Sequence, residues 1–243
     1  MNPTIELIHE HRSIRKYTDD AVPHAHILEA MRAGQMAATS SAVQPYCVIR
    51  VTDDEKRQRI ADLSGPQQKV RDCGAFFVIC ADLRKHMLIV DRAGEDYNAS
   101  LEAFLVGTID ASLFAQNFTL AFESLGYGTC YIGGIRNDLP LLDRLLNLPE
   151  GVCPLYGLCV GVPDESPSSR PRLDAEAMLF ENTYPTDDET LAAIDRYDEV
   201  YTKYLTDRGA QPSTWSAAIA KKFSYASRSG LGDYYASKGA NLC

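Results

Sequence analysis

The longest helical pattern in the chain runs from Asn98 to Leu125 and is followed by Gly126, a residue typical of helix C-termini. Apolar side chains recur around most of its circumference, at Leu101, Phe104, Leu105, Ile109, Leu113, Phe114, Phe118, Leu120 and Leu125. A surface helix carries one apolar stripe, so a helix that is apolar on most sides belongs in the centre of a core or at a subunit interface. The other elements must therefore be arranged to cover it.

Several shorter segments fit around such a helix. The uninterrupted apolar run Ala75–Ala81 is typical of a strand buried on both faces. Further strands are predicted at residues 46–51, 128–132 and 154–162, and further helices at 3–8, 24–38, 54–63, 141–146 and 187–207. Residues 65–69 are predicted to be a turn, and the tail from Ser213 to Cys243 has two helical pieces separated at Gly230. With no internal repeat and no clear linker, we expect a single α+β domain over residues 1–243, with a helical C-terminal extension from about residue 187.

The charge balance limits the partners of the protein. Its 243 residues carry a formal net charge of −9, whereas nucleic-acid binding needs a basic surface. No apolar run reaches the length of a membrane span, and Met1–Thr4 does not begin a signal peptide. These features predict a cytoplasmic protein that binds neither nucleic acid nor membrane.

The cysteines are odd in number and dispersed, without a C-x-x-C pair: Cys47, Cys73, Cys80, Cys130, Cys153, Cys159 and Cys243. Most of them lie in apolar, strand-like runs. This pattern is typical of reduced thiols in the core of a cytosolic protein, and it argues against a thiol-redox or zinc role.

One basic stretch opposes the overall negative charge: residues 11–15, His-Arg-Ser-Ile-Arg, which we call the donor loop. Two guanidinium groups, a hydroxyl and an imidazole within one turn suit an anionic group, because phosphate accepts several charge-assisted hydrogen bonds at once. The alternative is a solvated basic loop, because clusters of charge usually lie on the surface.

Several common catalytic and nucleotide-binding signatures are missing. The sequence has no G-x-x-x-x-G-K-[ST], no G-x-S-x-G and no H-E-x-x-H. The pairs His9/His11 and His24/His26 are poor candidates for metal ligands, since side chains two residues apart on a helix point in different directions. Gly126-x-Gly128 follows a helix instead of a strand, which makes it a weak dinucleotide-binding signature. We therefore expect no metal site.

Four separated pieces remain: the donor loop, Thr39–Ser41, Tyr131–Gly134 and Arg170–Arg172. In this order and spacing they resemble the FMN-dependent nitroreductase superfamily, most closely its NADPH-preferring flavin reductase and oxygen-insensitive nitroreductase branch (group A). The resemblance covers nearly the whole chain and extends over Pro3–Ile8, His11–Arg15, Ile49–Asp53, Ala115–Asn117, Tyr131–Asn137, Leu155–Gly161, Arg170–Leu173 and Thr214–Trp215. It implies a nitroreductase-like α+β fold, with a central, mostly antiparallel sheet flanked by helices, in an intertwined homodimer.

The resemblance also implies an FMN site built from distant parts of the chain. His11 and Ser13, with Arg12 in the same loop, would hold the phosphate, and Arg170 and Arg172 would close over it from the other end of the sequence. Positive charges and a hydroxyl around a dianion agree with this role. Taken without the resemblance, the pattern favours solvated loop charges for Arg170 and Arg172.

The flavin ring has its own set of implied contacts. Arg15 is placed at the N1/C2=O edge, where reduced flavin carries negative charge, so that the guanidinium would raise the redox potential. The backbone N–H of Gly133 is placed at N5, the hydride-accepting atom, with Tyr131, Ile132 and Gly134 beside it, because glycine permits close backbone approach. The alternative is that the two glycines only form a turn.

Two further contributions to the cofactor site are implied. Gln67 would bind the ring edge or the ribityl chain, with Lys69 beside it. Thr39, Ser40 and Ser41 would come from the partner subunit, because this family forms its FMN sites at the dimer interface. That arrangement gives the long apolar helix a place at the dimer contact.

The resemblance also implies a residue that binds the reductant. Arg208 lies where relatives carry an arginine for the 2′-phosphate of NADPH, a task that suits a guanidinium. The alternative is that Arg208 caps a helix end.

The resemblance thus predicts a homodimeric FMN oxidoreductase with ping-pong kinetics, in which NADPH (or NADH) delivers hydride to flavin N5 before a small-molecule acceptor takes its place. No catalytic side chain is expected, because the cofactor carries the chemistry. The implied acceptors are nitroaromatics, quinones, free flavin and azo dyes. Three alternatives remain: a non-catalytic FMN-binding or sensing module, a flavin-free enzyme that binds a phosphorylated metabolite, and a dedicated flavin reductase supplying a monooxygenase.

Overall fold

The computed structural model describes residues 2–225 and 227–240, so that Cys243 lies outside the described residues. Its helices are α1 (Pro3–His9), α2 (His24–Gln35), α3 (Asp54–Leu63), α4 (Gln68–Asp72), α5 (Arg84–Arg92), α6 (Leu101–Ser124), α7 (Leu139–Leu146), α8 (Asp187–Asp207), α9 (Trp215–Phe223) and α10 (Leu231–Ser237). Its strands are β1 (Tyr46–Val51), β2 (Ala75–Asp82), β3 (Gly128–Ile132) and β4 (Val152–Gly161). Short 3-10 turns occupy Ser40–Ala42, Gly133–Asn137 and Ala175–Ala177.

The four strands form one sheet in the order β1-β2-β4-β3, and every neighbouring pair is antiparallel. The central strand β2 is buried along its whole length, as its uninterrupted apolar sequence predicts. The predicted α+β architecture with an antiparallel sheet flanked by helices is confirmed.

The long helix α6 separates its apolar side chains between two environments. Phe114, Phe118 and Phe122 are fully buried, and the ring of Phe118 lies 5.2 Å from that of Phe77 on β2 in an edge-to-face arrangement. Another set, spaced along the helix at turn intervals, remains exposed in the single chain: Leu101, Leu105, Ile109 and Leu113. One side of α6 therefore builds the core, and the other presents an open apolar face.

Two local predictions need correction, those for α5 and for residues 65–69. Helix α5 was not predicted, because it follows a strand directly and its first residue has no side-chain cap. The turn predicted at residues 65–69 is wrong in its second half, since α4 begins at Gln68. Helix α1 begins after Asn2, whose side chain accepts the Thr4 N–H at 2.9 Å, and none of its residues is buried in the single chain.

The chain divides into two compact units. Residues 168–227 form the second unit, which contains α8 and α9, and the described residues on either side form the first. Helix α8 is capped one residue earlier than predicted: Thr186 and Glu189 exchange hydrogen bonds in a capping box. The single domain with an extension from about residue 187 stays a prediction.

Helix α10 belongs to the first unit and is fixed there by a buried ion pair. The ammonium of Lys238, 7% exposed, lies 2.6 Å from an Asp143 carboxylate oxygen and donates to the carbonyl oxygens of Leu148 and Pro149 at 2.8 and 3.2 Å. These contacts tie the last described helix to the end of α7 and the segment that follows it.

Among the six cysteines in the described part of the chain, all are free thiols and all but Cys47 are buried. This agrees with the predicted core positions. None of the helices in residues 2–225 and 227–240 combines the length and apolarity needed to cross a membrane.

Candidate functional site

The donor loop lies along the edge of β3. Ser13 forms a parallel bridge with Thr129, and the Ile14 N–H donates to the Thr129 carbonyl oxygen at 2.8 Å. Gly128 makes this approach possible, because a Cβ there would come within 2.5 Å of the Ile14 side chain. The loop is therefore held against the strand by backbone bonds, independently of its charged side chains.

Arg15 is exposed, and its backbone N–H is held by a hydrogen bond to a second segment of the chain. One Glu165 oxygen accepts the N–H groups of Arg15 at 2.5 Å and Lys16 at 3.2 Å. The Arg15 guanidinium donates back to the Ser13 carbonyl oxygen at 3.0 Å. Glu165 thus links the segment after β4 to the donor loop, a role that no local pattern of residues indicates.

His11 and Arg12 line a cavity of about 190 Å³ at the end of α6. His11 Nδ1 lies 2.7 Å from Glu123 Oε1, and the buried hydroxyl of Thr129 donates to the same oxygen at 2.9 Å. Within the described residues, the buried Nε of Arg12 and the second oxygen of Glu123 have no hydrogen-bond partner. Glu123 was also missed by sequence analysis.

Tyr131 and Ile132 end β3. Ile132 is buried, while the Tyr131 ring is 38% exposed. The hydroxyl of Thr119 on α6 donates to Tyr131 Oη at 2.9 Å. Burial of this hydroxyl raises the pKa of Tyr131 to about 12, although the Thr119 hydrogen bond opposes the shift. Tyr131 is therefore a neutral phenol at ordinary pH.

Gly133 and Gly134 open the 3-10 turn that follows β3. The first N–H groups of such a turn have no acceptor within it and can face a ligand. Gly134 is buried against Gln67 and Ser64: a Cβ at Gly134 would collide with the Ser64 carbonyl oxygen and come within 2.5 Å of Gln67 Nε2. Gln67 in turn donates to that carbonyl at 2.7 Å.

The positive charges of Lys69 and Arg15 both act on one residue of β3, Cys130. Burial raises the pKa of the Cys130 thiol, while the positive charges of Arg15 and Lys69 oppose the shift. The structure thus brings the following predicted residues together around β3: His11, Arg12, Ser13, Arg15, Gln67, Lys69, Tyr131, Ile132, Gly133 and Gly134. Their contact with a flavin stays a prediction.

Thr39, Ser40 and Ser41 lie elsewhere in the first unit. The Thr39 hydroxyl donates to the buried carboxylate of Asp110 on α6 at 2.5 Å, and the Ser40 N–H donates to both carboxylate oxygens at 3.1 and 3.2 Å. Ser41 has a φ of +45°, a left-handed conformation that costs energy for a residue other than glycine. Asp110 and Glu123 are separated by about 20 Å of helix.

Arg170, Arg172 and Arg208 are exposed residues of the second unit. Arg172 donates to the Arg170 carbonyl oxygen at 2.8 Å. Arg208 ends α8 as its C-cap residue and donates to the Tyr204 hydroxyl at 2.9 Å. Burial opposes the shift, but hydrogen bonds from Arg170 and Ser168 and the charge of Arg208 lower the pKa of Tyr204. Arg170 and Arg208, predicted to bind different phosphates, therefore share a neighbour.

The sequence profile of the nitroreductase family matches residues 8–162, and that of the nitroreductase family C-terminal domain matches residues 170–243. The chain belongs to the nitroreductase family. Among curated nitroreductase relatives, "FMN reductase (NADPH)" of Bacillus subtilis is 41% identical over 99% of both chains. "Oxygen-insensitive NADPH nitroreductase" of Salmonella typhimurium is 41% identical over 90% of both.

Solved structures of nitroreductase relatives share the whole fold. The Vibrio harveyi protein described as "NADPH:FMN oxidoreductase … complexed with NAD+" superposes with a TM-score of 0.91 at 38% identity, covering 99% of this chain and 100% of the other. The structure of Bacillus megaterium NfrA1 gives a TM-score of 0.96 at 39% identity, covering 98% and 99%. The predicted resemblance to the nitroreductase superfamily is confirmed.

Proposed function

We propose that this protein is an FMN-dependent NADPH oxidoreductase that reduces small-molecule acceptors. The observation that carries the proposal is the gathering of cationic side chains and backbone donors around β3, from the donor loop, α4 and the turn after β3. Relatives named FMN reductase (NADPH), NADPH-flavin oxidoreductase and oxygen-insensitive NADPH nitroreductase support the same activity.

The residues present fit FMN. The buried Nε of Arg12, without a hydrogen-bond partner among the described residues, is a donor that an anion can satisfy. His11, Ser13 and Arg15 add further donors suited to a phosphate and to an electron-rich ring edge. The tight contact at Gly134 leaves no room for a side chain beside Gln67, as expected where backbone lines a planar ligand.

Bound FMN supplies a ring that accepts hydride and passes electrons on. The chain orients and polarises that ring. With FMN bound, the Arg15 guanidinium would stabilise negative charge on the ring, and the Gly133 N–H would donate a hydrogen bond to it, a task for which a backbone donor needs no particular side chain. Tyr131, whose pKa is raised, would contribute a neutral phenol to the same site. No side chain of the first unit needs to act as an acid or base.

The reductant is assigned to the second unit. Arg208 is the residue proposed for the 2′-phosphate of NADPH, and NADH remains an alternative reductant. Arg170 and Arg172 are proposed to close over the FMN phosphate. Their guanidinium groups are exposed in a loop without helix or strand, as suits a segment that meets an anionic ligand.

We further propose a homodimer in which Thr39–Ser41 of one subunit serve the FMN site of the other. In the single chain these residues are anchored about 20 Å along α6 from the His11–Glu123 contact. The exposed apolar face of α6 and the exposed Ile5 and Ile8 of α1 supply a surface of the kind that dimer interfaces bury. A cytoplasmic location belongs to the same proposal.

Substitution of Ile109 by glutamate is expected to convert the dimer to monomer and to reduce FMN binding at least about tenfold, because a charge would be buried in the interface. Light scattering gives the mass and flavin fluorescence gives the affinity. Leu191→Glu, at an equally exposed apolar position on α8, is the control for a surface charge. An Ile109→Glu protein that stays dimeric would contradict the assigned interface.

Replacement of Arg15 by alanine is expected to lower the midpoint potential of bound flavin, because the reduced ring loses the neighbouring positive charge. Arg50→Ala, on β1 outside the site, should leave the potential unchanged. The potentials are measured by equilibration with a reference dye. An unchanged potential in Arg15→Ala would remove its role at the ring.

Steady-state turnover tests the activity. With FMN present, NADPH oxidation in the presence of a nitroaromatic, a quinone or free flavin should give the parallel double-reciprocal lines of a ping-pong reaction. Faster turnover with free flavin than with every other acceptor would favour a dedicated flavin reductase. Bound FMN without any NADPH oxidation would favour a sensing module instead.

A further inference from the structure

Glu123 is a buried acid with no role in the chemistry described above. It projects from the last turn of α6, and its side chain is only 9% exposed. One oxygen accepts the Thr129 hydroxyl and meets His11 Nδ1, while the other is buried without a hydrogen-bond partner among the described residues. A buried acceptor left unpaired costs free energy, so a reason for keeping the carboxylate is expected.

We propose that Glu123 is the positioning residue of the phosphate end of the site, fixing the ring of His11 so that its other nitrogen donates to the FMN phosphate. The inference rests on the proposed function. An ionised carboxylate only accepts hydrogen bonds, so the bond to Glu123 places a proton on Nδ1. Between a carboxylate and a phosphate, the imidazole then donates from both nitrogens and is a cation bridging two anions.

The fold makes this contact rigid. Thr129 is fully buried in β3, and it holds the donor loop through its carbonyl oxygen and Glu123 through its hydroxyl. Glu123 therefore connects α6, β3 and His11 at one point. This is the arrangement in which an outer carboxylate sets the tautomer and the direction of a ligand-binding histidine.

Other charged or titratable groups line the same cavity as His11. Glu10 and Arg12 come from its own segment, and Tyr127 comes from the turn after α6. Glu10 is exposed, whereas Glu123 is enclosed, so the two carboxylates differ in how strongly water screens them. Glu10→Gln is therefore a matched control for the loss of one negative charge beside His11.

The test compares FMN with riboflavin, which has the same ring and no phosphate. Fluorescence titration of the apoprotein gives both affinities for the wild type, Glu123→Gln and Glu10→Gln. We expect Glu123→Gln to weaken FMN binding about tenfold and riboflavin binding less than twofold, because Glu123 acts on the phosphate only through the orientation of the His11 ring. The Glu10→Gln protein should bind both flavins as the wild type does.

A double mutant distinguishes positioning from simple support of the fold. If Glu123 acts through His11, Glu123→Gln should cost little additional FMN affinity in a His11→Asn background. Equal losses for FMN and riboflavin, or full additivity of the two substitutions, would overturn the inference. A wild-type protein that binds neither flavin would instead overturn the proposed function, and the phosphate role with it.

A measurement on the unaltered protein covers the case in which Glu123→Gln does not fold. In ¹⁵N-histidine-labelled protein, with His11 assigned from the signal lost in His11→Asn, we expect a proton on Nδ1 and a change at Nε2 when FMN is added. The change should be absent with riboflavin. A His11 ring protonated only at Nε2 would contradict the proposed hydrogen bond.

Discussion

Replacement of Gly134 by alanine is expected to weaken FMN binding about 100-fold. A Cβ at Gly134 would collide with the Ser64 carbonyl oxygen and come within 2.5 Å of Gln67 Nε2. The carbonyl belongs to the backbone and cannot swing aside, so the glycine turn itself must move. The Gly133 N–H and the Gln67 amide would then leave their proposed positions together.

The adjacent glycine provides the comparison. A Cβ at Gly133 would meet the end of a side chain and no backbone atom: the guanidinium of Arg136, at 3.2 Å, which donates to the Leu155 carbonyl oxygen. We expect Gly133→Ala to lose less than about tenfold in FMN affinity, since only that side chain has to shift. Fluorescence titration of both apoproteins measures the difference. Gly134→Ala binding FMN as tightly as Gly133→Ala would contradict the packing described for this turn.

Replacement of Lys238 by methionine is expected to lower the free energy of unfolding by about 3 kcal/mol. The substitution leaves the Asp143 carboxylate and the Leu148 carbonyl oxygen without the ammonium that they share in a buried site. Urea titration followed by circular dichroism gives the change. Because α10 loses its anchor, its backbone amides should also exchange with solvent faster than those of α6.

The matched control is Lys203→Met. Lys203 lies 2.7 Å from Asp207 on α8, a separation close to that of the Lys238 pair, but both side chains are largely exposed. Exposed ion pairs contribute little, so the expected change is below about 0.5 kcal/mol. Equal effects of the two substitutions would show that burial does not set the strength of the Lys238 contact.

The spacing of apolar residues in the sequence predicted most of the fold, because the side of each element that is buried must be apolar. The apolar run of β2 and the repeating apolar positions of α6 follow from what each element packs against. The sequence also predicted that α6 would be apolar beyond a single stripe. Helix α5 was not predicted because no capping side chain marks its start and it directly follows β2. No local signal in the sequence therefore separates the strand from the helix.

Some residues of the candidate site could likewise be predicted from the sequence, and others could not. The donor loop could be found because its basic residues are unusual in a chain of net negative charge, and the glycine turn could be found through the family resemblance. Glu123, Glu165 and Asp110 could not be found, since each acts on residues far away in the sequence. An isolated acidic residue carries no local signal, and only the fold shows which backbone amide, hydroxyl or imidazole it meets.

The proposed function requires that this chain bind FMN and reduce it with NADPH. The most direct measurement is the visible spectrum of the FMN-reconstituted protein before and after NADPH is added without oxygen. We expect a yellow protein whose flavin absorbance disappears with NADPH and returns when a quinone or air is admitted. A protein that stays colourless in excess FMN, or whose bound flavin is unchanged by NADPH, would contradict the account.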